Sequence, residues 1–208
     1  ADDEARFLLG DQDRITFTYA GVMGMAQGLG VVLDVAAAVR DLDLVQFVLV
    51  GDGADRESLR CRVEVENLHN VRLLQAQPKE RIPALLAASQ VGFHVLKFAI
   101  PGAVPSKIYE AMASGLPILF AGGGEGARRV LDARAGLVVP YEDVRGLEEA
   151  VRRLVSSPEL RQELGRAGRC VAEKLYNRKE IAKRLHRLLL GVMNGGVSLE
   201  NDSSSKEE

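Results

Sequence analysis

Six short runs of apolar or β-branched residues recur along the chain, at 15–20 (ITFTYA), 45–50 (VQFVLV), 71–75 (VRLLQ), 91–96 (VGFHVL), 117–121 (PILFA) and 136–140 (GLVVP). Each is short enough for a strand and too apolar for one that shows a face to water. Helical periodicity fills the gaps at roughly 27–40, 55–66, 79–88, 105–114, 125–133 and 143–155, and two further helices follow at 158–174 and 178–190. Buried strands alternating with amphipathic helices predict an α/β protein with a doubly wound, six-stranded parallel sheet and helices on both faces. In such a sheet, ligands bind beyond the carboxyl ends of the strands. Glycines stand at three of those ends: Gly21 and Gly24, Gly51 and Gly53, and Gly122 to Gly124.

The 208 residues carry a net charge of -2, and 47% of them are apolar, enough for one main core. Residues 1–14 are charged and without a sustained period, so they read as a linker, although Phe7, Leu8 and Leu9 offer a docking point. The domain proper spans 15–193. Residues 194–208, polar and rich in Gly, Ser and acids, are expected to be disordered. No stretch reads as a secretory or membrane-spanning segment, and the expected location is the cytosol. Cys61 and Cys170 lie far apart with no metal-ligand spacing, and the expectation is two core or half-buried thiols. Balanced charge, 5% aromatics and no Trp argue against nucleic-acid binding.

The stretch VPSKIYEAMASG (104–115) opens a helix. Pro105 suits the first helical position, which leaves the N–H groups of Ser106, Lys107 and Ile108 at the positive end of the helix dipole, where an anion fits. Ile108, Ala111 and Met112 share an apolar face, while Lys107, Glu110 and Ser114 lie on another. Two readings are open from the residues alone. In one, phosphate sits on the N–H groups and Glu110 accepts hydrogens from a sugar diol. In the other, Glu110 only complements the dipole, worth ~0.3–1 kcal/mol, and Lys107 is solvated.

Other stretches say less. GVMGMAQGLG (21–30) follows a strand and suits a loop passing under a diphosphate, but no Gly-Lys-Ser/Thr ends it. LVGDGADR (49–56) has Arg56 at the position of a third glycine, and its other reading is a turn capped by Asp52. Asp11/Asp13 and Asp41/Asp43 imitate a metal-holding pair but fall away from the ligand loops; they read as solvated turns, and no metal is expected. His94 reads as a core histidine with its hydrogen bonds satisfied, His69 and His186 as surface residues.

In order and spacing, the runs FTYAGVMGMAQGL (17–29), FVLVGDGADRESL (47–59), NVRLLQAQPKERIPALLAASQVGFHVL (70–96), VPSKIYEAMASGLPILFAGGGEGARRVLDARAGLVVP (104–140) and GLEEAVRRLVSSPELRQELGRAGR (146–169) resemble the C-terminal, donor-binding domain of group 1, GT-B-fold retaining glycosyltransferases. The similarity is strongest to the bacterial cell-envelope polysaccharide members. It implies a Rossmann-like sheet, one half of a GT-B fold, and a nucleotide diphospho-sugar donor, UDP-linked as a first guess, with no metal or other cofactor. It also implies transfer to a glycan or lipid-linked acceptor. By the same resemblance Glu110 grips the ribose hydroxyls, and Ser106 and Lys107, with the backbone of Ala103, Val104 and Pro105 before them, meet the diphosphate and the sugar. Lys107 and Glu110 are the residues it marks as catalytic. The loop at Gly24 and Met25 runs beneath the phosphates, Gln75, Gln77 and Pro78 hold the base, and Gly51 and Gly53 line the cleft.

The chain also departs from the pattern. Gly102 stands where the family's first glutamate is expected, and Val22 and Gln27 where a basic pair is expected, which leaves Lys107 as the main cation for the diphosphate. No acceptor-binding domain precedes residue 15, so the expectation is one half of an enzyme, inactive alone, whose N-terminal partner domain carries the acceptor and any peripheral attachment to the inner face of the membrane. Two other classes share the architecture: a non-catalytic nucleotide-sugar module regulating a partner chain, and half of a nucleotide-sugar epimerase.

Overall fold

In the computed structural model, residues 3–10, 13–98 and 104–193 are described. A short helix α1 (Asp3–Leu9) precedes strand β1 (Ile15–Ala20). Then come α2 (Gly30–Ala38), β2 (Val45–Val50), α3 (Arg56–Val65), β3 (Val71–Leu74), a 3-10 turn (Lys79–Arg81) leading into α4 (Ile82–Ala87), β4 (Val91–Val95), α5 (Ser106–Ala113), β5 (Ile118–Ala121), α6 (Gly124–Asp132) and β6 (Gly136–Val139). Three helices close the described chain: α7 (Val144–Ser156), α8 (Pro158–Leu175) and α9 (Arg178–Met193). The strands form one all-parallel sheet in the order β3-β2-β1-β4-β5-β6. The order reverses between β1 and β4, so the crevice for a ligand opens beyond those two strand ends.

Side chains alternate between two buried faces. Phe17, Tyr19, Phe47, Leu49 and Phe93 meet α2 and α7 on one face, with the Phe17 and Phe47 rings 5.3 Å apart. On the other face, Ile118 and Phe120 meet α5, α6 and α8, and Val48 and Val50 meet α1 and α4. Several polar side chains on this second face are paired. Thr18 and Ser89 share a hydrogen bond of 2.7 Å, and Gln46 Nε2 donates to Thr16 Oγ1 at 2.6 Å and to the Leu9 carbonyl at 3.2 Å.

Two expectations are corrected. Residues 1–14 contain a helix: α1 buries Ala5 and Leu9 against Val48, Val50 and Leu85, and Glu4 pairs with Arg81 at 2.9 Å. Cys61 and Cys170 are exposed; α3 buries only Leu59, and α8 packs through Gly165, Gly168 and Ala172, which leaves Cys170 on the far side. Asp41 stands in an exposed turn, as expected, and accepts two 2.7 Å hydrogen bonds there from Arg152 of α7. The expected disorder of 194–208 lies outside the described residues. Among those described, no helix is long and apolar enough to cross a membrane.

Candidate functional site

The loops after β1 and β2 are stitched to one another at the carboxyl edge of the sheet. Met23 N donates to the Asp52 carbonyl at 2.8 Å and Asp55 N to the Met23 carbonyl at 3.0 Å. A side chain at Gly51 would overlap the Gly21 carbonyl, and one at Gly53 the Met23 carbonyl, so both glycines are needed for the loops to approach. Asp52 Oδ1 accepts from Gly53 N at 2.8 Å, the local cap that the sequence offered as its second reading.

Against this double loop stands the start of α5. Pro105 is the N-cap, one position earlier than expected, with an extended ψ of 122° and no side-chain cap. The Ile108 N–H already donates to the Pro105 carbonyl at 3.1 Å, so the groups left without an intrahelical partner are those of Ser106 and Lys107. Ile108, Ala111 and Met112 are fully buried, and the opposite side of the helix faces the cleft, with Glu110 exposed and Lys107 half-buried. Lys107 lies across Gly21, where any Cβ would strike its side chain, and its Nζ is 5.9 Å from the centre of the Tyr19 ring.

Two hollows share Lys107 as a wall. The larger, about 420 Å³, opens between the β1 and β2 loops and α5, and brings together Gly51, Gln77, Ser106, Lys107 and Glu110. The smaller, about 220 Å³, lies beyond β1 and β4 and takes in Val104, Pro105 and Lys107. Of the other sequence candidates, Gly24, Met25, Gly53, Gln75 and Pro78 line neither hollow. Met25 is exposed, and Gln75 offers its carbonyl to Gln77 Nε2 at 3.2 Å. Ala103 and Gly102 lie outside the described residues.

Sequence reasoning missed several members. Lys79 lines the larger hollow, beside Asp52 and Ala76 from the stretches 51–53 and 75–78 expected there; Tyr19, Gln27 and His94 line the smaller. Tyr19 Oη donates to the Val22 carbonyl at 2.6 Å, and burial pushes its phenol pKa up. His94 is buried as expected, but among the described residues neither of its ring nitrogens has a hydrogen-bond partner, which corrects the satisfied-histidine reading. Burial first, and the Lys107 charge second, pull its pKa down to about 3, so the ring is neutral at ordinary pH. The signal available in the sequence was a lone imidazole among apolar neighbours in VGFHVL, which does not say where its nitrogens point. Among the described residues, no group of three or more His, Cys, Asp or Glu side chains is placed to hold a metal ion.

Comparison with known proteins gives the family and the fold. The family model of glycosyl transferases group 1 matches residues 2–171, and the chain belongs to that family. It is 29% identical over 154 residues to the GDP-mannose-dependent monoacylated alpha-(1-6)-phosphatidylinositol monomannoside mannosyltransferase of Corynebacterium glutamicum, covering 69% of this chain and 38% of that protein. The fold matches that of HepE from Anabaena, solved in complex with UDP, with a TM-score of 0.80 at 19% identity over 91% of this chain and 52% of HepE. It also matches the C-terminal domain of LpcC, a group 1 family glycosyl transferase from Francisella tularensis, with a TM-score of 0.68 at 15% identity over 85% of this chain and 95% of that domain. The chain spans 24% to 42% of the length of the curated relatives it matches.

Proposed function

We propose that this chain is the donor-binding half of a retaining glycosyltransferase, and that the larger hollow holds the nucleoside diphosphate of a nucleotide sugar. One observation carries the reading: Lys107 and Glu110 project from the open start of α5 into the same hollow as Gly51 and Gln77. The diphosphate lies against the N–H groups of Ser106 and Lys107 and the Lys107 ammonium, where the helix dipole adds to the attraction. Glu110, one turn further along, accepts both ribose hydroxyls. Gln77 and the adjoining backbone border the base, and the loop glycines let the main chain come close.

When the anomeric bond breaks, negative charge grows on the leaving diphosphate. The Lys107 ammonium and the α5 N–H groups are already turned towards it, so the transition state gains more from them than the ground state does. This assigns the diphosphate charge to groups of the chain and no role to a metal. UDP is the proposed carrier, in line with the UDP bound by HepE. The acceptor, a growing glycan or a lipid-linked saccharide of a bacterial envelope polysaccharide, is assigned to an N-terminal half of the kind the longer relatives have room for, and transfer is not expected from this chain alone.

The test separates the two contacts by thermal-shift titration of nucleoside mono- and diphosphates and their 2′,3′-dideoxy analogues. Lys107→Ala is expected to abolish the preference for diphosphate over monophosphate, and Glu110→Ala the preference for ribose over dideoxyribose. Variants that weaken all four ligands alike would contradict these roles.

A further inference from the structure

Helix α9 stands apart from the rest of the fold, because it buries none of its residues. Its sequence, RKEIAKRLHRLLLGVM, nevertheless sorts into two sides. Ile181, Leu185, Leu188, Leu189 and Val192 follow the i, i+4, i+7, i+8, i+11 spacing of one helical stripe, and each of them is between 47% and 64% exposed. Lys179, Lys183 and Arg187, spaced one turn apart, run down the opposite side, with Arg184 at its border. Arg178 brings the helix to five basic residues against one acid, Glu180, which pairs with Lys183 at 2.8 Å. This excess of positive charge belongs to a chain whose net charge is -2, so the cationic side is a local concentration and not a property of the whole surface.

We propose that α9 attaches the protein to an anionic lipid surface, lying in the plane of the bilayer with its apolar stripe at the acyl boundary and its Lys and Arg side chains among the head groups. The helix is about 24 Å long, shorter than the ~30 Å hydrocarbon layer, and it is not long and apolar enough to cross one. An apolar stripe backed by a Lys- and Arg-rich side is the pattern of helices that bind in the bilayer plane. Their long basic side chains reach the lipid phosphates while the carbon stems stay on apolar ground. A second copy of the chain fits less well. The stripe runs for about two heptads, where a coiled coil is sustained over about three or four, and the helix has no acid besides Glu180 to complement facing basic residues. A partner protein seated on the stripe would leave the basic side in water, whereas an anionic bilayer engages both sides at once. The proposal does not depend on the donor-site reading, since α9 lines neither of the two hollows.

Co-sedimentation of the chain with vesicles of phosphatidylcholine alone, and of phosphatidylcholine and phosphatidylglycerol in equal parts, tests it. The wild type is expected to bind the anionic vesicles at least about tenfold more tightly than the neutral ones, and raised salt is expected to weaken that binding. Lys183→Gln combined with Arg187→Gln is expected to lose about tenfold or more on the anionic vesicles. Leu185→Gln combined with Leu188→Gln, or ending the chain at Asn177, is expected to abolish binding while the melting temperature stays that of the wild type, which separates loss of the anchor from loss of the fold. Wild-type protein that stays in solution with both kinds of vesicle, that binds the two equally, or that still binds once α9 is removed overturns the proposal. Self-association in place of vesicle binding, lost on ending the chain at Asn177, also overturns it and gives the stripe to a second copy.

Discussion

His94 is a residue whose cost to the fold is visible and measurable. Its ring is held neutral to about pH 3, against about 6.5 in an unfolded chain. The unfolded state therefore binds the extra proton first, and the stability gained by keeping the ring neutral, full above about pH 6.5, is lost as the pH falls from there towards about 3. The slope approaches about 1.4 kcal/mol per pH unit. The melting temperature of the wild type is expected to fall below that of His94→Leu by a margin that widens between pH 6.5 and 5, where few carboxylates titrate. A constant margin would mean that the ring is hydrated in solution. The sequence placed His94 in a strand and in the core correctly. Whether its nitrogens found partners depended on which side chains β1 and α5 bring alongside, and no local pattern encodes that. Lys107 and Glu110 were legible because a single helical turn fixes their common side, whereas Met25 and Pro78 were placed by resemblance and fall outside both hollows.

Helix α5 carries the site, and α8 holds α5. Gly165 of α8 lies so close to Gly115, just past the end of α5, that a Cβ would overlap its carbonyl oxygen; Arg169 Nη1 donates to the Ala113 carbonyl in the last turn. Gly165→Ala must push the two helices apart and is expected to destabilise the fold by about 1–3 kcal/mol, read as a lower denaturant midpoint. Ser157 Oγ caps α8 by accepting from Leu160 N at 3.2 Å, and Ser157→Ala is expected to cost about 1 kcal/mol. Most elements were legible in the sequence because short unbroken apolar runs alternate with longer amphipathic stretches: the six strands start and end within one residue of their expected limits. Helix α1 was not, because seven residues are too few to show a period, and its existence rests on the contacts of Ala5 and Leu9 with β2 and α4. Pro105 was displaced by one position because the same proline geometry serves an N-cap and a first helical residue.

Across the whole molecule, stability is concentrated in the sheet and its covering helices. Helix α9 buries none of its residues, and a helix of 16 residues is marginal in water without packing. Ending the chain at Asn177 is therefore expected to leave the melting temperature unchanged within about 2 °C; a larger fall would show that α9 packs on the domain in solution. The order of the strands puts every candidate ligand group at one edge of the sheet, and the account stands or falls on what binds there. The deciding measurement is calorimetric titration of UDP, GDP and ADP into the wild type and Glu110→Ala, without and then with magnesium. The account expects one diphosphate, UDP foremost, to bind without magnesium and to lose at least about tenfold in affinity in the variant. Absence of binding by all three, or binding that is indifferent to Glu110, would contradict it.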